Sequence, residues 1–569
     1  MLKDIKILLS YCSNTNKLKF IFFSLLNSLF ETFSLALIFS IILLYFQNSQ
    51  DVNFTFLSIN LDILNFNTVI LFLISIIIIK TIYLNFFSWW RNNFVFKFNS
   101  LISNRIFNSY LNRNYEFHLK KDSSEFVRNT FNESRIYSSN LDIILKTFSE
   151  ILLLLFIIIF LFFYNFFITS ISLLITFSIA LLYISLTKKS LVNFSNSKVL
   201  YVKNLLKNIR EGYDYIKEIK IYNLKNFFTN KFDKNLKEVN KASKWSAVII
   251  EIPKNSLELF VLFFFGILYY LFSTINFEIS ETEIAILIAS YGSASMKIIP
   301  SSLRLINHLS TISNTIVSVR EINKQLVFKN IELNKDLKIY DSQNEVIVKN
   351  LNFSYENKKN FYLDNICFNM KTGEIIFLKG ESGIGKSTLI NLICGLIKTT
   401  NGKIKCNNND ISQNIIKWFE GISYVSQGSR LLDDTILNNI ILENSLDKKK
   451  LDYAIKISNS DKFINEHDEK LNYMVGENGS NLSGGQAQRI ILARALYKNP
   501  KILILDEFTS ALDSENEKQI FNSLESLKKD RIILISSHNS LVSSICDKTL
   551  ELKRSNNDYK KIILNEVSN

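Results

Sequence analysis

The sequence has few prolines, glycines, histidines and cysteines. Three prolines and 15 glycines in 569 residues exclude a collagen-like or linker-rich chain. The five cysteines (Cys12, Cys367, Cys394, Cys406 and Cys546) include no CxxC pair and no tight cluster. We therefore expect reduced thiols rather than a disulfide framework or a zinc module. Apolar residues are abundant: 47% of the chain is hydrophobic, with 47 Phe and 23 Tyr, which excludes a disordered protein. Lysine and arginine exceed the acids by 66 to 52, a formal charge of +14. Such a balance suits nucleic acid or a membrane surface, and its placement along the chain decides between them.

The chain divides in two. Residues 1–320 hold nearly all the long apolar runs, 321–342 is a polar and charged linker, and 343–569 reads as the short strands and helices of a soluble domain. Six apolar runs, near 20–46, 68–90, 147–165, 167–187, 248–273 and 284–306, approach the ~20 residues that cross a bilayer. Lys17 and Lys19 lead into a first run too long for a cleaved signal peptide. The third and fourth runs nearly touch around Tyr164–Thr169, which predicts a tight hairpin. Lysine and arginine crowd the N-terminus, 91–146 and 188–247, and are absent from 47–67 and 274–283. By the positive-inside rule both termini are then cytoplasmic, and the excess charge no longer argues for nucleic acid. The two basic stretches lack helix breakers and predict helical hairpins that turn near Asn114–Lys121 and Gly212–Lys220.

The soluble half carries a phosphate-loop pattern, Gly380-Glu381-Ser382-Gly383-Ile384-Gly385-Lys386-Ser387-Thr388, between an apolar strand and a helical stretch. Glycines let backbone N–H groups approach phosphate oxygens, and the helix N-terminus adds positive potential. Lys386 suits the β- and γ-phosphates and Ser387 suits Mg²⁺. Downstream, Ile502-Leu503-Ile504-Leu505 ends in Asp506-Glu507, a buried parallel strand with two carboxylates at its C-terminal end. Asp506 there can hold Mg²⁺ through water and Glu507 can polarise an attacking water.

Asn481-Leu482-Ser483-Gly484-Gly485-Gln486, placed before that strand, resembles the signature of ABC transporter ATPases. The resemblance covers the second half with its motifs in order. It implies that Tyr355 stacks on adenine, that Gln427 joins the Mg²⁺ site to the membrane domain, that Ser510–Asp513 forms the D-loop and that His538 senses the γ-phosphate. Glu477 falls in the stretch that resembles the exporter loop before the signature. Ser483, Gly485 and Gln486 would contact the γ-phosphate of a nucleotide held by the other subunit. The sequence departs from many exporters in having Asn539 after His538. The fold class implied is an α-helical transmembrane domain of ABC exporter type, with six spans and long cytoplasmic hairpins, fused to a P-loop α/β ABC ATPase domain. ATP and Mg²⁺ are the expected cofactors, and a second copy of the chain the expected partner, in a head-to-tail homodimer.

Leu29-Phe30-Glu31-Thr32-Phe33, Ile252-Pro253-Lys254 with Leu257-Glu258, and Ile299-Pro300-Ser301 with Arg304 resemble bacterial lipid-linked oligosaccharide flippases of protein glycosylation. This implies flipping of a polyprenyl-diphosphate oligosaccharide across a bacterial inner membrane, with 53–67 as a short interfacial helix. Ionisable residues within apolar runs (Glu31, Lys80, Lys297, Arg304 and His308) are candidates to line the cavity. The alternative for Glu31 and Lys80 is a structural pair between neighbouring helices, and for Arg304 snorkelling to the interface. An exporter of another amphipathic substrate (a lipid A-type lipid, a hydrophobic drug or a peptide) stays open. Only about 19 residues precede the first run, which disfavours a peptide exporter carrying an N-terminal peptidase domain.

Overall fold

Away from water a helix satisfies every backbone polar group within its own segment, and apolar runs with so few glycines and prolines take that form. The computed structural model describes residues 2–47, 66–274, 281–326, 339–341, 343–355, 362–426, 428–442, 445–509, 514–537, 542–555 and 561–568. Among the described residues ten α-helices come first: α1 (Leu2–Ser10), α2 (Asn14–Gln47), α3 (Phe66–Leu111), α4 (Tyr115–Leu119), α5 (Ser123–Val127), α6 (Ser134–Tyr164), α7 (Phe166–Asp214), α8 (Ile216–Ile221), α9 (Lys225–Thr274) and α10 (Glu281–Leu326), with a π-helical segment, Arg128–Glu133, joining α5 to α6. At 1.5 Å per residue α3 is about 70 Å long, well beyond the ~30 Å hydrocarbon layer of a bilayer. The chain forms two compact units, Met1–Arg113 with Lys120–Lys329, and Asn114–Leu119 with Asn330–Asn569.

In the first unit, among the described residues, three stretches are long and apolar enough to cross a membrane: Asn14–Phe39, Ile70–Leu111 and Ser123–Tyr164. The remaining three apolar runs of the sequence lie in α7, α9 and α10. One residue, Asn165, separates α6 from α7, as the near-contact of the third and fourth runs predicts. Thr169 pins this turn by donating to the carbonyls of Leu161 (3.0 Å) and Asn165 (2.6 Å). The chain also turns where the basic stretches predict, between Leu111 and Ser123 and between Asp214 and Lys225. The polar stretch read as a linker opens as helix, because α10 continues to Leu326. Ile322 is fully buried there, and Asn323 accepts from Tyr137 at 2.9 Å. Residues 327–338, and 53–65 of the expected interfacial helix, lie outside the described residues.

The second unit holds β1 (Glu345–Phe353), β2 (Tyr362–Lys371), β3 (Ile375–Gly380), β4 (Asn401–Cys406), β5 (Asn409–Asp410), β6 (Ile422–Val425), β7 (Ile502–Asp506), β8 (Ile532–Ser536), β9 (Lys548–Arg554) and β10 (Lys561–Ser568). Its helices are α11 (Lys386–Ile393), α12 (Ile415–Glu420), α13 (Ile436–Ile441), α14 (Lys448–Ile457), α15 (Asp461–Glu466), α16 (Gly484–Tyr497), α17 (Ser514–Leu527) and α18 (Val542–Ile545). The strands form one sheet in the order β5-β4-β1-β2-β10-β9-β3-β8-β7-β6. From β9 to β6 all pairings are parallel, and β1, β2, β4 and β5 pair antiparallel. Strand alternation sorts the continuous apolar runs onto two faces. Ile376, Leu378, Ile502, Ile504, Ile532 and Leu534 pack with Leu389 and Ile390 of α11. Ile375, Phe377, Leu503, Leu505, Ile533 and Ile535 pack with residues of α16 and α17.

Trp418 of α12 closes the α11 face. It is fully buried, its indole N–H donates to Ile393 O at the end of α11 (3.1 Å), and Tyr340 stacks on it at 5.7 Å. Trp418→Ala removes a large core side chain and strands the Ile393 carbonyl. We expect a loss of about 3–5 kcal/mol. Urea titration of the full chain, read by exposure of the buried Cys394 and Cys406 thiols, measures this, and a loss below about 1 kcal/mol refutes the packing argument.

Candidate functional site

The phosphate loop follows β3 directly, and α11 begins at Lys386. Gly383 (φ 76°) and Gly385 (φ 112°) take left-handed backbone conformations, which a side chain would oppose. Glu381, Ser382, Gly383 and Ser387 are exposed and Gly380, Gly385 and Thr388 half-buried, whereas Lys386 is 5% exposed. The Lys386 ammonium donates to Gly380 O at 2.8 Å. Burial holds its pKa below the ordinary lysine value, while the charges of Glu507 and Asp506 pull the other way. The lysine, Asp506 and Glu507 therefore share one electrostatic environment, although some 120 residues separate them in sequence. Tyr355 comes to the same helix: its hydroxyl lies 3.4 Å from Thr388 Oγ1, and its ring meets Phe353 edge-on.

Asp506 ends β7 and is 3% exposed. Tyr424 of β6 donates to Asp506 Oδ2 at 3.2 Å. Glu507 has φ 51°, an uncommon conformation for a residue with a side chain, and its N–H donates to Ser536 O at 2.8 Å. The Ser536 hydroxyl, in register with Asp506, is buried with no partner among the described residues. Ser387 and Asp506 offer hydroxyl and carboxylate oxygens, the donor type Mg²⁺ requires. That donor set, the partly compensated charge and the unpaired buried hydroxyl all fit a metal–phosphate ligand.

Ser483 caps α16. Its hydroxyl accepts from Gln486 N at 3.2 Å, and Gln486 Oε1 accepts from Ser483 N at 2.9 Å, a reciprocal capping box. Gln486 is thereby committed to building the helix start, while Ser483 and Gly484 are exposed and Gly485 is half-buried. Asn478 of the preceding loop adopts φ 55°, and Glu477 is exposed. Gln427, Ser510–Asp513 and His538–Asn539 lie outside the described residues.

In the first unit Glu31 of α2 takes a lysine on each carboxylate oxygen: Lys80 of α3 at 2.5 Å on Oε1, and Lys297 of α10 on Oε2. Lys297 also donates to Ser34 Oγ at 2.7 Å. Arg304 pairs with Glu150 of α6 at 2.6 Å, and His308 Nδ1 is buried without a partner among the described residues. The Glu31–Lys80 pairing follows from their matched depth in the sequence. Lys297 as a third member, and Glu150 as the mate of Arg304, do not. A stripe at helical spacing, Asp142-Lys146-Glu150, is the signal that could have found the second. The side chains of Pro253, Lys254, Leu257 and Glu258 lie outside the described residues.

Residues 18–295 match the family model of the ABC transporter transmembrane region, and residues 363–510 that of the ABC transporter. The chain is 38% identical over 200 residues to the ATP-dependent lipid A-core flippase of Vibrio parahaemolyticus, covering 35% of this chain and 34% of that protein. It is also 38% identical over 212 residues to the alpha-hemolysin translocation ATP-binding protein HlyB of Escherichia coli, covering 37% and 30%. These matches span about a third of the length of either relative. A solved structure of a bacterial Atm1-family ABC exporter with ATP bound superimposes with TM-score 0.79 at 18% identity, over 97% of this chain and 96% of that one. The architecture is thus a helical ABC exporter transmembrane domain fused to an ABC ATPase domain, a domain type that uses ATP with Mg²⁺.

Lys386→Met keeps the bulk of the side chain and removes its charge. We expect binding of a fluorescent ATP analogue to the purified chain to weaken at least about tenfold, the loss of one charge-assisted contact of 1.5–3 kcal/mol. Unchanged affinity refutes the phosphate-loop assignment.

Proposed function

We propose that this chain, an ABC exporter half-transporter in architecture, is an ATP-driven flippase. It moves a polyprenyl-diphosphate-linked oligosaccharide from the inner to the outer leaflet of a bacterial inner membrane. It works as a homodimer with both termini in the cytoplasm. Lys386 and the phosphate-loop N–H groups bind the β- and γ-phosphates, and Tyr355 stacks on adenine. Ser387, Gln427 and Asp506 are the residues that hold Mg²⁺, which neutralises phosphate charge when bound. Glu507 orients and polarises the attacking water, and His538 senses the γ-phosphate. Ser483 and the N–H groups behind it complete the site of the other copy. ATP favours the closed pair of ATPase domains over the open pair and so shifts the membrane cavity outward.

The observation that carries the substrate class is the cluster of two lysines on one carboxylate among apolar helices. Ionisable groups at such depth are costly and mark functional paths. Here the sum is one positive charge, which suits an anionic diphosphate headgroup. Likeness to a lipid A-core flippase favours a second reading, a lipid A-type lipid.

The test is transport in proteoliposomes holding either labelled lipid, with the Glu507→Gln protein as blank. ATP-dependent loss of the polyprenyl-diphosphate oligosaccharide from one leaflet in the wild type, and none in the blank, supports the first reading. Movement of the lipid A-type lipid alone supports the second. Movement of neither, with ATPase activity intact, rejects both.

A further inference from the structure

Among the strands at the parallel edge of the sheet, β6 carries one hydroxyl that reaches the nucleotide-facing edge. Tyr424 is level with Ile504 in the parallel register of β6 and β7. Asp506 lies two residues beyond Ile504 and so on the same face of the sheet. That face is the one covered by α11, where Tyr424 packs against the core that includes Ile504, Ile390 and Cys394. The phenol therefore leans along the strand direction and sets its hydroxyl 3.2 Å from Asp506 Oδ2. The opposite face receives Val425, Leu503 and Leu505, so the choice of face, fixed by register, is what brings phenol and carboxylate together.

We propose that Tyr424 is a positioning residue for Asp506: its hydroxyl fixes one carboxylate oxygen so that the other is turned to the Mg²⁺ site. This rests on the reading of Asp506 as a Mg²⁺-site residue. A carboxylate at a strand end has a free χ2 torsion with broad wells. A hydrogen bond to one oxygen removes that freedom before metal arrives. Groups that orient the ligands of a metal in this way typically govern 10- to 100-fold in metal affinity. Tyr424 packs against the apolar core of the α11 face, so phenylalanine fills the same space and only the hydroxyl is lost. Gln427 follows three residues later in the sequence, so the strand that carries the phenol also leads to a second residue assigned to the metal.

The test is Tyr424→Phe in the full-length chain in nanodiscs, with Mn²⁺ as the probe. Electron paramagnetic resonance counts Mn²⁺ bound in the presence of ATP, and ATP affinity is measured separately in EDTA. We expect Mn²⁺ affinity to fall about tenfold, with metal-free ATP affinity and melting temperature unchanged. ATPase activity should return toward the wild-type level as Mg²⁺ is raised. In the Asp506→Asn background the same substitution should have no further effect on Mn²⁺. Three results overturn the proposal while leaving the metal-site reading in place: Mn²⁺ affinity within twofold of wild type, an equal further loss in the Asp506→Asn background, or a fall in metal-free ATP affinity together with melting temperature. Asp506→Asn alone leaving Mn²⁺ binding intact would remove the metal-site reading itself, and this proposal with it.

Discussion

A lysine taken out of water beside two carboxylates governs the form of the ATPase unit. Lys386 is 5% exposed and Asp506 is 3% exposed. Neither charge is tolerable alone at that burial. They fall within one another's electrostatic reach because β3, β8 and β7 are parallel neighbours, so the loop after β3 and the residues ending β7 emerge at one edge of the sheet. Ligands of open α/β sheets bind at that C-terminal edge. The alternating apolar residues of the strands hold α11 on the same face as Asp506, so core packing and site electrostatics come from a single register. Slipping β7 by one residue would turn Asp506 to the α16 face and leave Lys386 with less compensation.

The membrane unit meets the same demand with a different remainder. Glu31, Lys80 and Lys297 come from three helices and join through one carboxylate. Burying any of them unpaired would cost several kcal/mol. Asp142 repeats the arrangement, with Arg91 on one oxygen at 3.1 Å and Lys146 on the other at 2.6 Å, whereas Arg304 and Glu150 balance each other. Pairing removes most of the cost of burial, yet each two-lysine or lysine–arginine cluster retains a net positive charge. Glu125, in a basic stretch between apolar runs, likewise takes Lys121 on one oxygen and Lys203 on the other, so a surplus cation on a shared carboxylate also serves to tie helices together.

Much of this was legible in the sequence because the chemistry is local. The phosphate loop, the Asp-Glu strand end and Ser483-Gly484-Gly485-Gln486 are contiguous, and each states its strand–turn or turn–helix context within about ten residues. Helix length was legible for the same reason: apolar runs without breakers have few alternatives. What could not be read depends on register and on packing between distant segments. The Tyr424–Asp506 bond needs the offset of β6 against β7. The pairing of Lys297 with Glu31 needs the rotation of α10 against α2, which periodicity leaves undetermined. Glu150 sits at the margin of an apolar run, where a charge reads as solvated, although the Asp142-Lys146-Glu150 spacing aligns all three on one face of α6. The linker boundary failed to show at residue 321 because Glu321–Leu326 is polar in composition and still helical, with Ile322 buried.

The start of α16 explains why the proposed mechanism needs two copies. The first N–H groups of a helix have no partner within it. Here the capping box satisfies Gln486 N from Ser483 Oγ and occupies the Gln486 side chain. The box thus fixes the turn and leaves exposed Gly484 and half-buried Gly485 at the helix start without side chains to shield their N–H groups. An exposed, positively polarised helix start of this kind attracts a phosphate. In the proposed dimer that phosphate belongs to the nucleotide held by the other copy, so each ATP draws donors from two chains. In that proposed arrangement the γ-phosphate would set the affinity of the two ATPase domains for one another: its presence would join donors that otherwise face water, and its loss on hydrolysis would remove that link.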